Sequence, residues 1–186
     1  MVFQDFMQKL ILAGQLKFNK GSIELLNQKV SVFPVSVFST IVENNPGAIP
    51  DVYKATKQSA KLFASEIKKR HKFSGQQLKS WLKDIIEFAG WGEAEFVLYD
   101  EKSFRSIFRV KESTVAKISN KKEPSDHALR GFFAGGGSES LGKDLDCVET
   151  KCIAQGDKIC EFFLAEASIL KKEQPELAKK QLWWIN

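Results

Sequence analysis

The sequence predicts an α+β fold, in which a small antiparallel sheet is packed with helices. Two long segments that begin at Pro50 and Ser74 carry apolar residues at three- and four-residue spacing, which is typical of amphipathic helices. After Trp91 and Gly92 the apolar residues recur at every second position, which is typical of strands. Strands, helices and a meander therefore occur in separate blocks, and this order favours α+β over alternating β-α units.

The composition limits the classes of function that the chain can have. Its 186 residues are 43% hydrophobic and 27% charged, which suits one globular domain with its own core. The net charge of +5 is modest and lysines alternate with acids along the predicted helices, so we expect no direct nucleic-acid partner. Because no apolar run reaches the length of a membrane span and the chain starts without a secretory signal, we expect no membrane span and a cytoplasmic location.

The first third of the chain predicts a hairpin followed by a short helix. Strands at 16–18 and 23–26 flank a turn that contains Gly21. The second strand is expected to continue as far as Phe33. A helix is then expected over 35–42, where the sequence Asn-Asn-Pro-Gly follows and stops it.

Two long helices are expected next. The first begins at Pro50 and ends in the basic run 68–72, where cations complement the helix dipole. The second has the strongest signal, because Ser74 and Gln77 form a capping-box pattern and Gly90 follows its apolar stripe.

The second half of the chain predicts a meander interrupted by a helix. Alternating apolar residues over 94–110 indicate two strands. The polar, lysine-rich residues 111–124 are expected to form a loop. A third helix is expected to begin at Ser125 or Asp126 and to contain a run of glycines.

Two strands around Gly156 are expected to close the domain, which we assign to residues 1–166. The remaining residues, 167–186, predict a lysine-containing tail that ends in Trp183, Trp184 and two further residues. Because exposed tryptophans are unusual, we expect the tail to pack onto this domain or onto a partner.

The three cysteines fall within fourteen positions near the C-terminus. If the loop is centred on Gly156, Cys152 and Cys160 lie opposite each other on two paired strands. An odd number of cysteines in a reducing compartment favours a metal site or free thiols over a disulfide. Glu149 has the opposite strand parity to Cys152, so a shared metal requires a β-bulge near residues 150–151. The alternative is that both cysteines are small buried apolar residues.

The run 126–163 resembles the 4-vinyl reductase domain family. The family signature is a helix with Gly-aromatic and a further Gly, then a Gly, Glu-x2-Cys, Gly-Asp-x2-Cys and an aromatic strand. The matching residues are Gly131, Phe132, Gly135, Gly142, Glu149, Cys152, Gly156, Asp157, Cys160 and Phe162.

Members of this family include sensory domains of aromatic-responsive transcription regulators, and similar subunits occur in the vesicle-tethering transport-protein-particle (TRAPP) complex. The resemblance implies a small antiparallel sheet covered by helices, usually dimeric, with a buried apolar pocket. In the sensory members a Glu, two Cys and a further upstream Cys bind a structural zinc beside that pocket.

Three of those zinc ligands carry over to this chain, at Glu149, Cys152 and Cys160. The fourth does not, because the gapless match for the upstream cysteine is Asp126, with His127 adjacent. Cys147 shares strand parity with Glu149 and is a third candidate. Zinc requires four well-placed ligands, so the resemblance leaves the fourth ligand open among these three residues.

A pocket for a hydrophobic or aromatic ligand is expected near this site. The candidate lining residues are aromatic or lack a side chain, and they are Trp81, Phe88, Phe96, Phe108, Gly131, Phe132 and Gly135. The alternatives are that the aromatic residues form an ordinary core and that the glycines only allow the helix to pack closely on the sheet.

The function that we expect is non-catalytic. The chain has two histidines, no apparent Ser-His-Asp order and no dinucleotide fingerprint, and a zinc with four protein ligands has no open position for chemistry. The leading hypothesis is a homodimeric domain that binds a small hydrophobic ligand and signals through a protein partner. The rival hypothesis is a scaffold or tethering subunit, similar to the TRAPP proteins, that acts through its surface and its Trp183-Trp184 tail. An accessory enzyme for a vinyl or tetrapyrrole substrate is a third hypothesis.

Overall fold

The protein is described by a computed structural model that covers residues 2–120 and 122–185. Met1 and Asn186, which end the two units assigned from the sequence, lie outside the described residues, as does Lys121 in the expected loop. Within the described chain, helices pack on two separate antiparallel sheets.

The N-terminal part consists of helix α1 (Val2–Leu12) and a three-stranded sheet. The sheet strands are β1 (Leu16–Asn19), β2 (Ser22–Leu25) and β3 (Gln28–Val30). The predicted hairpin is therefore confirmed, but the prediction that its second strand continues to Phe33 is wrong. Leu26 and Asn27 have φ of 53° and 65°, so the chain reverses there and β3 pairs antiparallel with β2.

Three helices follow and confirm the predicted order. They are α2 (Ser36–Asn44), α3 (Ile49–His71) and α4 (Gly75–Phe88). The capping box at the start of α4 is present, because the Ser74 hydroxyl accepts from the Gln77 N–H and the Gln77 side chain accepts from the Ser74 N–H. Both predicted halves of this start signal are thus confirmed.

The second sheet has four strands in the order β4-β5-β7-β6, all antiparallel. Its strands are β4 (Glu93–Asp100), β5 (Arg105–Lys111), β6 (Asp146–Lys151) and β7 (Cys160–Ala165). The expected loop at 111–124 is wrong in part, because it contains a short helix, α5 (Thr114–Ile118). The Ser113 hydroxyl accepts from the Ala116 N–H and caps this helix.

Helix α6 (His127–Leu141) is buried along almost its whole length between α3, α4 and the second sheet. Gly131 and Gly135 allow α3 to approach closely: a Cβ at Gly131 would lie 2.4 Å from the Tyr53 carbonyl oxygen, and one at Gly135 would lie 2.1 Å from the Lys57 carbonyl oxygen. The sequence had offered the sheet or a pocket as the neighbour of these glycines. The structure places the backbone of α3 there instead.

The last described segment packs on the same core. Helices α7 (Ala167–Glu173) and α8 (Pro175–Gln181) lie against β6 and β7. Leu170, Ala178 and Leu182 are buried, whereas Trp183 is 60% exposed. In the part of the chain that the structure describes, no helix is both long and apolar enough to cross a membrane.

Candidate functional site

Three polar side chains meet inside the C-terminal hairpin, at the end of the second sheet. One ligand atom from each of Glu149, Cys152 and Cys160 lies within 4.8 Å of the others, and all three residues are buried. All three cysteines of the chain are free thiols. The structure therefore brings together a carboxylate and two thiols that can hold a metal ion.

A β-bulge makes this arrangement possible. Glu149 pairs with Phe162 and Lys151 pairs with Glu161, so Thr150 is an extra residue in β6. The bulge predicted from strand parity is thus confirmed, and it turns Glu149 and Cys152 toward the same side.

The turn after β6 holds the two thiols close to each other. The Cys152 N–H donates to the Asp157 carboxylate at 2.9 Å, and the Ile153 N–H donates to the Cys160 sulfur at 3.4 Å. Gly156 has φ of 102°, a conformation that glycine adopts without a steric penalty. The Gly-Asp pair of the motif therefore serves to fold the turn around the thiols.

The three candidates for a fourth ligand lie in different surroundings. Asp126 is fully buried beside the cluster, and its N–H donates to the Glu149 carboxylate at 3.4 Å. The Nδ1 atom of His127 accepts from Arg130 at 2.9 Å. Cys147 is buried on the same strand but is not part of the cluster of three ligand atoms, and its sulfur contacts the carbonyl of Val148. Asp126 has the position closest to what a fourth ligand requires.

Two buried carboxylate oxygens at this site have no hydrogen-bond partner: Oδ1 of Asp126 and Oε1 of Glu149. The other Asp126 oxygen accepts from the Ser113 hydroxyl at 2.7 Å. Buried polar atoms are normally paired, because an unpaired one forfeits its hydration. A cation among these oxygens and the two sulfurs would supply the missing partner, so the residues present fit a bound metal.

The proton affinities of the four groups are strongly shifted by their proximity and burial. Burial raises the pKa of Asp126 to about 6, and burial together with the Asp126 charge raises the pKa of Glu149. A hydrogen bond from the Cys160 thiol lowers the pKa of Cys152 to about 5, and the same hydrogen bond raises the pKa of Cys160. Four acidic groups thus compete for protons in one small buried volume, which favours a cation in their place.

The C-terminal helix α8 holds Glu149 from outside the hairpin. The Glu149 N–H donates to the Gln181 side-chain oxygen, and the Gln181 side-chain nitrogen donates to the Glu149 carbonyl, both at 2.8 Å. Arg130, which is fully buried in α6, donates to the Gln181 carbonyl at 3.0 Å. Sequence reasoning missed both residues. The available signal was a single arginine within the apolar, glycine-rich sequence of α6.

An apolar cavity lies between α4, α6 and strands β4 and β5. Of the seven predicted pocket residues, three line it: Phe96, Phe108 and Phe132. The other lining residues are Lys79, Leu82, Ile86, Tyr99, Ser106, Phe133, Gly136, Gly137, Ser140 and Leu141. Its volume of about 10 Å³ is close to that of one water molecule, so side chains nearly fill it.

The remaining predicted pocket residues lie elsewhere. Trp81 and Phe88 stack edge-on against Phe6 of α1, with ring centroids 5.8 and 6.0 Å away. Gly131 and Gly135 face α3. Sequence reasoning missed Lys79, Tyr99 and Ser140, because polar residues on separate elements give no periodic signal.

Four polar side chains line the cavity, and their hydrogen bonds are well defined. The Ser106 hydroxyl donates to the Leu98 carbonyl at 2.8 Å, and the Ser140 hydroxyl donates to the Gly75 carbonyl at 2.9 Å. The Tyr99 hydroxyl lies 2.7 Å from the Ser140 hydroxyl oxygen. The Lys79 ammonium lies over the Phe96 and Tyr99 rings, 4.9 and 4.6 Å from their centroids.

Comparison with known proteins agrees with this fold. Residues 107–166 match the family model of the vinyl-4-reductase (4VR) domain, which confirms the resemblance predicted from the motif. No curated protein sequence matches the chain significantly.

Three solved structures are similar to this chain. The phenol-responsive sensory domain of the transcription activator PoxR, with phenol, matches with a TM-score of 0.76 and 17% identity over 95% of this chain and 96% of that chain. A vinyl-4-reductase family protein from Methanocaldococcus jannaschii matches with a TM-score of 0.50 and 18% identity over 74% and 83%. A trafficking protein particle complex subunit 3 from Naegleria fowleri, covalently bound to palmitic acid, matches with a TM-score of 0.47 and 13% identity over 70% and 88%. The match to the PoxR domain confirms the predicted α+β fold.

Proposed function

We propose that this chain is a non-catalytic sensory domain that binds a small hydrophobic or aromatic ligand and signals through a protein partner in the cytoplasm. The observation that carries the proposal is the apolar cavity between α4, α6 and the second sheet, whose walls are aromatic and aliphatic. The PoxR sensory domain, which is described as phenol-responsive, has the same fold over almost the whole chain and supports the same class of function.

Ligand binding in this cavity requires side chains to move. An apolar cavity of about 150 Å³ binds benzene in a well-studied case, whereas this cavity has about 10 Å³. Leu82 and Phe132 are the side chains best placed to yield, because Leu82 lies at the tip of the contact with Gly136 and Phe132 packs against both core clusters. The ligand therefore selects an opened arrangement of α4 and α6, and this change is the signal.

We propose that the hairpin cluster holds a structural zinc. Glu149, Cys152 and Cys160 would be three ligands, and Asp126 the fourth. Two thiolates with carboxylate oxygens are ligands that zinc accepts, and when bound it would neutralise the buried negative charge. The residues themselves clamp the hairpin, hold Asp126 at the start of α6 and keep water from the turn.

The surroundings of the cavity support a binding role over catalysis. Neither His71 nor His127 lines the cavity, and the Ser106 and Ser140 hydroxyls donate to backbone carbonyls rather than to a base. A nucleophile needs a neighbouring base that can take its proton. No such pair lines the cavity among the described residues.

We further propose that the chain forms a homodimer. Several large apolar side chains in the N-terminal part are strongly exposed, namely Leu12, Phe18, Val32 and Phe33. Native mass spectrometry should give twice the chain mass of 21.0 kDa, and a purely monomeric species at micromolar concentration would contradict the dimer.

The exposed Trp183 favours a second candidate function, a scaffold that acts through its C-terminal surface. Removing the tail would not separate the two functions, because Leu170 and Leu182 are part of the core. The substitution Trp183→Ser changes the surface alone. Loss of partner binding with unchanged ligand binding would support the scaffold, whereas loss of ligand-dependent partner binding only in cavity variants would support the sensor.

The sensor proposal is tested by thermal shift and native mass spectrometry with phenol, toluene, benzoate and decanoate as probes. We expect at least one probe to raise the melting temperature and to form a one-to-one complex. Gly136→Leu should abolish both effects, since its side chain would enter the cavity, and the exposed control Ser80→Leu on α4 should retain them. The absence of any shift or complex with the unaltered protein would contradict the proposal.

A further inference from the structure

We propose that the cavity selects an apolar ligand with one anionic group, and that the ammonium of Lys79 binds this group. The inference rests on the proposed ligand-binding function of the cavity and names its ligand class: a carboxylate or phenolate attached to an aromatic or aliphatic body.

The hydroxyl groups of the cavity have no hydrogen left to donate to a ligand. A hydroxyl has one hydrogen, and a carbonyl oxygen can only accept. The Ser106 hydrogen is used by the Leu98 carbonyl and the Ser140 hydrogen by the Gly75 carbonyl. Ser140 must therefore accept in its 2.7 Å contact with Tyr99, and this contact uses the Tyr99 hydrogen.

Lys79 is consequently the side chain among the described cavity residues with donors to spare. Its ammonium has three hydrogens, and the contacts that the structure gives it within the described chain are the faces of Phe96 and Tyr99. No carboxylate of the described residues pairs with it within 4.0 Å, although Glu101 lies on the same side near Gly75 and Tyr99. A half-buried cation without an anionic partner attracts an anion.

The shape of the site determines where the charge of the ligand lies. Leu82, Ile86, Phe108, Phe133 and Leu141 form apolar walls on which a charge would be unpaired and costly. Only the end bordered by Lys79 compensates a negative group. A ligand with one anionic end fits this distribution, whereas a dianion or an uncharged polar molecule leaves one part of the site unsatisfied.

The geometry also explains how Lys79 discriminates between related molecules. A neutral analogue of the same shape fills the apolar part but offers no charge to the ammonium. Hydrogen bonds between charged groups contribute about 1.5–3 kcal/mol, which corresponds to roughly tenfold or more in affinity. We therefore expect the anion to bind at least about tenfold more tightly than its neutral counterpart.

Calorimetric titration with two matched pairs tests this inference: decanoate against decanol, and benzoate against benzyl alcohol. In the unaltered protein we expect the anion of at least one pair to bind at least about tenfold more tightly. Lys79→Met keeps the apolar stem and should remove this preference while the neutral probe binds as before. Lys79→Arg should restore the preference. Lys83→Met, on the same helix but outside the cavity, should leave it unchanged.

Each outcome bears on a definite statement. Equal binding of anion and neutral probe, or a preference that survives Lys79→Met, overturns the assigned ligand class but leaves the cavity as a binding site. Failure of all four probes to bind the unaltered protein contradicts both this inference and the proposed function. Circular dichroism of Lys79→Met should match that of the unaltered protein, because the residue is only half-buried.

Discussion

The two ends of helix α6 border sites of opposite character. At its start, Asp126 joins Glu149 and the two thiols in a polar cluster whose atoms already lie within reach of one ion. About 20 Å further along the helix, Gly136, Gly137 and Ser140 border an apolar cavity with room for about one water molecule. The first site can bind without rearrangement, whereas the second must open.

The surroundings of each site account for this difference. The polar end is held by directional bonds from separate elements: the Ser113 hydroxyl on Asp126, and the two bonds between Gln181 and the Glu149 backbone. The apolar end is closed by the Leu82 side chain, which can change rotamer. A single helix with one fixed end and one adjustable end is suited to convert ligand binding into a movement of its second half.

The largest effect is expected from breaking the polar end. Cys152→Ser should prevent stoichiometric metal binding and destabilise the fold by about 4 kcal/mol, the value for a metal present at about a thousand times its dissociation constant. Elemental analysis and thermal unfolding measure the two effects, with about one zinc per chain in the unaltered protein. Cys147→Ala is the matched control, because Cys147 is equally buried but lies outside the cluster. Equal metal content in Cys152→Ser and the parent would refute the zinc site.

The next largest effect is expected on the face of α6 that contacts α3. Gly131→Ala places a Cβ 2.4 Å from the Tyr53 carbonyl oxygen, and because backbone cannot rotate away, we expect a loss of about 3 kcal/mol. Urea unfolding at constant m-value measures it. A loss below about 1 kcal/mol would mean that the two helices are not held as closely as the structure shows.

A smaller effect is expected from loosening the polar end without removing a ligand. Gln181→Leu leaves the Glu149 N–H and carbonyl unpaired and should cost about 2 kcal/mol. It should also raise the metal dissociation constant roughly tenfold or more, since groups that orient a ligand are about this important. Competition with a chelator measures the affinity. Gln76→Leu, which is exposed on α4, serves as control and should bind metal as the parent does.

The smallest effect on stability is expected at the apolar end. A Cβ at Gly136 would lie 2.9 Å from a terminal methyl of Leu82, which can move, so Gly136→Ala should change the free energy of unfolding by less than about 1 kcal/mol. The same change should weaken ligand binding, because it takes up cavity volume. A destabilisation as large as that of Gly131→Ala would show that the apolar end is as rigid as the polar end.

Local signals made the framework predictable from sequence. The capping box at Ser74 and Gln77, the hairpin around Gly21 and the bulge at Thr150 each depend on residues close in the chain. The Glu-x2-Cys and Gly-Asp-x2-Cys motifs identified the cluster for the same reason, since one hairpin contributes all three of its ligand atoms.

The parts that sequence did not predict depend on contacts between distant elements. Helical periodicity marked Trp81 and Leu82 as apolar but could not show that Trp81 faces α1 and Leu82 the cavity. Periodicity also could not show that Gly131 faces another helix rather than a ligand. The Gln181 contact joins residues 32 positions apart and had no counterpart in any local pattern.

Hydrogen–deuterium exchange of the metal-loaded protein with and without saturating decanoate tests the central claim most directly, namely that one end of α6 is preformed and the other opens for a ligand. We predict altered protection in α4 and in residues 136–141, with residues 146–153 unchanged. No change anywhere, or a change confined to residues 146–153, would contradict the claim.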